Sequence, residues 1–111
     1  MIKLVGIPFD LNSSYLRGTA RAPAAIRRAW KSGSSNDFSE AGIDFSSVVA
    51  DEGDIVFDSE DITASFQQIT SAIENLLVDD QRVISIGGDH SISFPVLRAF
   101  AKKYREKYNW L

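Results

Sequence analysis

A chain of 111 residues is long enough for one small domain and too short for two. Its formal charge of −3, with acids and bases mixed along the sequence, leaves no basic stripe for nucleic acid and no polybasic patch for a membrane surface. Apolar residues make up 44% of the chain, ordinary for a globular domain, and cysteine is absent, which excludes a disulfide framework, a thiolate zinc site and a cysteine nucleophile.

Residues 2–7 (Ile-Lys-Leu-Val-Gly-Ile) read as a short buried strand, closed by Pro8, which cannot donate to a ladder. The apolar run there is too short for a secretory signal. No stretch approaches the roughly eighteen continuous apolar residues of a membrane span, so a soluble cytoplasmic protein is expected. A loop is predicted from Asp10 to Ala22, carrying Asn12, Ser13, Ser14, Arg17, Gly18 and Arg21. Pro23 suits the first turn of a helix, where a missing N–H costs nothing, and that helix is predicted over 23–31 with Gly33 as its stop.

Residues 45–50 form the next predicted strand, ending in an acidic turn, Asp51-Glu52-Gly53-Asp54. A helix is predicted over 60–78, because Ile62, Phe66, Ile69, Ile73, Leu76 and Leu77 share one face at helical spacing. Asp79-Asp80 breaks that pattern. Residues 83–86 read as a third strand running directly into Gly87-Gly88-Asp89-His90-Ser91, and Pro95 opens a last helix over 95–107. Strands alternating with helices predict a parallel sheet with helices packed on it. Such a sheet needs cover on both faces, and three or four strands with three helices amount to half of one.

In open α/β sheets ligands bind at the carboxyl ends of strands, which is where 87–91 falls. The two glycines permit backbone angles closed to other residues, so the chain can turn sharply there and present Asp89 and His90. Imidazole is the commonest side-chain metal ligand, and a neighbouring carboxylate can orient it. From spacing alone, however, a single histidine after a strand is more often structural or superficial, and one imidazole does not make a metal site.

Other charged groups admit two readings each. Arg17, Arg21, Arg27 and Arg28 could hold an anion near a helix N-terminus, but Arg27 and Arg28 better suit a solvated or subunit-contacting face. Asp51, Glu52 and Asp54 could hold a hard cation, or form a solvated turn. Tyr104, Tyr108 and Trp110 suit packing rather than base stacking, given the absent basic groove.

Gly-Gly-Asp-His-Ser at 87–91, followed by Ile-Ser-Phe-Pro-Val-Leu-Arg, closely resembles the first metal-binding motif of the arginase/agmatinase/formiminoglutamase ureohydrolases. Gly6-Ile7-Pro8-Phe9-Asp10, with Ser13-Ser14-Tyr15 and Pro23-Ala24-Ala25-Ile26-Arg27 behind it, resembles the family's amino-terminal stretch. Asp51-Glu52-Gly53-Asp54-Ile55 looks like its acidic turn. The resemblance implies a three-layer α/β/α sandwich around a parallel sheet and a pair of manganese ions. These activate a bridging water, whose hydroxide attacks a guanidinium carbon and releases urea and an amine. It implies that His90 ligates one manganese and that Asp89 supports it from behind. A homo-oligomer, trimer or hexamer, is implied for the complete protein. No catalytic acid or base is assigned within these residues.

The family's Asp-Ala-His-x-Asp and Asp-x-Asp motifs are absent, and Asn109-Trp110-Leu111 looks like the entry to a following strand. Residues 1–111 are therefore expected to be the amino-terminal segment of a single incomplete domain, inactive alone. Asn12, Ala22 and Leu16-Arg17-Gly18 depart from the agmatinase pattern and leave the guanidino substrate open. Gly-Gly-Asp-His-Ser argues against the formiminoglutamase branch. The alternative is a non-catalytic binding or interaction domain derived from the fold. Deacetylases of related fold share neither landmark.

Overall fold

β1 (Ile2–Ile7) runs through the middle of a three-stranded sheet, between β2 (Val49–Asp54) and β3 (Arg82–Gly87), and pairs in parallel with both. Its central place follows from its side chains, which are apolar on both faces and buried from Leu4 to Ile7. The computed structural model describes residues 2–13, 16–33 and 36–108, with side chains to residue 105. Ser14-Tyr15, Ser34-Ser35 and Asn109–Leu111 lie outside the described residues, as does the side chain of Tyr108.

Three helices cover the sheet. α1 (Ala22–Trp30) carries Pro23 in its first turn, as its missing N–H allows. It packs on the face of Gly6, where an added Cβ would crowd Pro23 and Asp54. α2 (Ile62–Leu76) and α3 (Ser93–Tyr108) cover the other face. There Val5, Ile7, Ile69, Ile73 and Leu77 form the centre of the core, with Phe66 and Val96 packed against it. Asp61 caps α2, its carboxylate accepting the Ala64 N–H at 3.0 Å. Leu77 ends the helix, and Asp79 and Asp80 then adopt positive φ of 51° and 61°, which turns the chain into β3. Thr70 Oγ1 donates to the Pro95 carbonyl at 2.9 Å and ties α2 to α3. α3 begins at Ser93, so Pro95 does not open it. It is the third residue, still within the first turn, where no intrahelical N–H is lost.

The second strand is displaced from the predicted 45–50. Asp44 draws the Ser46 N–H and hydroxyl onto one carboxylate oxygen, and the Phe45 carbonyl accepts the Val48 N–H at 3.1 Å and the Val49 N–H at 3.2 Å. The chain therefore turns here, and pairing with β1 begins only at the Val48 carbonyl, which accepts the Ile2 N–H at 2.8 Å. The supposed acidic turn is the strand itself. Leu4 pairs with Asp51 but Gly6 with Asp54, so β2 holds one extra residue there. Gly53, at φ 80°, supplies that bulge.

Candidate functional site

The strand order β2-β1-β3 sends the chain to opposite sides of β1. The loops after β1 and β3 therefore diverge, leaving a crevice at the carboxyl ends of these two strands. An open cleft of about 350 Å³ lies there. One wall is the turn Gly88–Ser91 after β3; the other is the loop after β1, through Asn12, Ser13, Leu16 and Thr19.

Neither Gly87 nor Gly88 has a positive φ, so the turn does not use glycine for its backbone angles. Space is the reason instead. A Cβ on Gly88 would press into the carbonyl oxygens of Phe9 and Ile7, and one on Gly87 would meet the Ile92 side chain. The close approach lets the Asp89 N–H donate to the Phe9 carbonyl at 2.8 Å, extending the β1–β3 pairing past the end of the sheet.

Asp89 is buried, 7% exposed, and its carboxylate is occupied. Oδ2 accepts the Asn12 N–H at 3.1 Å; Oδ1 accepts the Ser91 N–H at 2.9 Å and the Ser91 hydroxyl. Asp89 thus caps the short 3₁₀ turn His90–Ile92 and fastens the loop after β1 to the turn after β3. Its hydrogen bonds go to Asn12 and Ser91, not to the imidazole. His90 is exposed on the cleft, and its ring has no protein partner among the described residues. Asp10 organises the far loop in the same manner, accepting the N–H groups of Gly18 at 2.7 Å and Ala20 at 3.3 Å.

As a site for a metal these residues supply little beyond His90. Asp89 has both oxygens committed to N–H and O–H donors, Asp10 has Oδ2 committed to two N–H groups, and no group of three His, Asp or Glu side chains among the described residues could enclose an ion.

The remaining predicted groups lie elsewhere. Arg27 is neither an anion site nor a solvated face. Its guanidinium grips Asp51 through two bonds of 2.9 and 3.0 Å and also reaches Asp54. Residues three apart on a regular strand face opposite ways, and the bulge at Gly53 brings both carboxylates round to the same arginine. The hydrogen bond from Arg27 holds the Asp51 carboxyl below the usual carboxylate range, and Asp51 in turn raises the Arg27 pKa. This cluster serves structure. Acidic residues beside an arginine four helical positions past Pro23 were the available signal, but the bulge was not legible.

A parallel sheet that presents a histidine turn and an opposing loop at a reversal of strand order defines an open α/β domain with a cleft at its strand ends. A family model described as the arginase family matches residues 1–111. The chain is 36% identical to arginase 1, mitochondrial, of Oryza sativa subsp. indica, covering 90% of this chain and 32% of that protein. It is 36% identical to an agmatinase of Photorhabdus laumondii, covering 91% and 34%. The arginase structure from Medicago truncatula superposes with a TM-score of 0.81 at 31% identity, covering 92% of this chain and 34% of that one. Formimidoylglutamase of Bacillus subtilis superposes at 0.79 with 33% identity, covering 91% and 32%, so overall likeness does not set that branch apart. The chain belongs to the arginase family, and spans about a third of the length of the relatives it matches.

Proposed function

We propose that the whole protein is a manganese-dependent ureohydrolase that cleaves a linear guanidino compound to urea and an amine, with His90 as one metal ligand. The observation that carries this reading is an open imidazole in the switch-point cleft, within Gly-Gly-Asp-His-Ser, in a chain of this family. Relatives named arginase and agmatinase both support a guanidino substrate without choosing between them. Manganese, when bound, supplies Lewis acidity at the reacting centre. The chain's own part is positional. Asp89 holds the turn so that His90 faces the cleft, and the close seat of Gly88 on β1 keeps that turn from drifting.

Replacing His90 by alanine in the whole protein tests the reading. Urea release and manganese content should both fall, with the melting temperature nearly unchanged because the side chain is exposed. Full manganese occupancy together with a lowered melting temperature would end the ligand assignment and favour a non-catalytic domain.

A further inference from the structure

The two walls of the cleft differ in chemistry. After β3, Asp89 and Ser91 are bonded to each other, which leaves His90 as the open heteroatom of that wall. After β1 the described residues that line the cleft are Asn12, Ser13, Leu16 and Thr19, none of them ionisable. That loop is anchored on both sides of Leu16. The Asn12 N–H is held by Asp89, and the N–H groups of Gly18 and Ala20 are held by Asp10. Leu16 is therefore an apolar side chain, 69% exposed, set into a polar cleft opposite His90 by hydrogen bonds on either side of it. Such a side chain gains free energy when another apolar group covers it.

We infer that Leu16 is a specificity-determining residue, packing against the methylene chain of a guanidino substrate whose reacting end lies toward His90. The inference rests on the ureohydrolase reading above and adds that Leu16 selects by aliphatic length. Each methylene carried into apolar contact gains about fourfold in affinity.

The test uses the whole protein loaded with manganese and three probes, methylguanidine, propylguanidine and pentylguanidine. Urea release gives kcat/KM, and calorimetry gives Kd on the same samples. In the wild type and in Leu16→Met, kcat/KM and affinity should both rise with chain length. Leu16→Ser should lose about tenfold of that gain, in KM and Kd, with kcat and manganese content held within about twofold. An undiminished gain in Leu16→Ser overturns the inference and leaves the ureohydrolase reading standing. Urea release from arginine or agmatine tests that reading separately, and if the wild type releases none from the three probes the calorimetric series alone decides Leu16. No chain-length dependence of binding in the wild type overturns the inference about Leu16, whatever the urea release.

Discussion

Two adjacent glycines have unequal duties. At Gly88 an added methyl would meet two backbone oxygens, which cannot rotate away, whereas at Gly87 it would meet the end of the Ile92 side chain, which can. Gly88→Ala should therefore cost about 1–3 kcal/mol as overpacking, and Gly87→Ala clearly less, as read from paired denaturation curves. Asp89→Asn is nearly isosteric yet unfavourable. Asp89 faces N–H donors from Asn12 and Ser91, and an amide would turn its own NH₂ toward one of them. A loss of about 1–3 kcal/mol is expected from the unsatisfied buried group, and the loosened turn should lower manganese affinity in the whole protein by about 10–100-fold. Melting curves and metal analysis on one preparation check both. A stable Asp89→Asn protein with unchanged manganese content would remove Asp89 from its positioning role.

Among the elements, α1 and β2 are joined by the Arg27 cluster. Asp51 has a folded pKa depressed by the Arg27 hydrogen bond, so its contribution is fully present above the ordinary carboxylate value and disappears as pH falls through the depressed one. Arg27→Met should cost about 1 kcal/mol at neutral pH, a modest figure because both carboxylates remain partly solvated. The gap between wild type and variant should be flat from about pH 7 to 5 and close below about pH 4. Denaturant titrations across that range measure it, and a gap independent of pH would show that Arg27 stabilises through its aliphatic stem alone. For α2 the expectation is simpler: Asp61→Ala removes the side-chain bond to Ala64 and should cost about 1 kcal/mol.

At the scale of the molecule, the described chain is a slab. Its radius of gyration is 15.2 Å and its extents are 39 × 38 × 22 Å, against about 13 Å expected for a compact domain of this length. β3 borders the sheet with Ile84 at its middle 49% exposed, and no strand among the described residues pairs with its outer side. One open imidazole at such an edge cannot hold two ions. The 111 residues by themselves should therefore release urea from arginine or agmatine only at background with manganese added. Metal-dependent turnover by the isolated chain would mean that ligands other than His90 exist within it.

The parallel α/β class, β1, the apolar face of α2 and the place of His90 were all readable from the sequence, because each depends on a local period or on a motif that follows a strand. The face of α2 is an example: Ile69, Ile73 and Leu77 recur at helical spacing, and all three are buried. What only the tertiary structure decided involves partners far apart in the chain. Asp89 bonds Asn12 across 77 positions, and Arg27 collects Asp51 and Asp54 only because a one-residue bulge resets the phase of β2. The shift of β2 to Val49–Asp54 has the same origin, since a turn built on Asp44 and the Phe45 carbonyl competes with the sheet there and apolar content carries no record of that. Periodicity reports which face of an element is buried; which side chain meets which is set by the register between elements, and that exists only once the chain is folded.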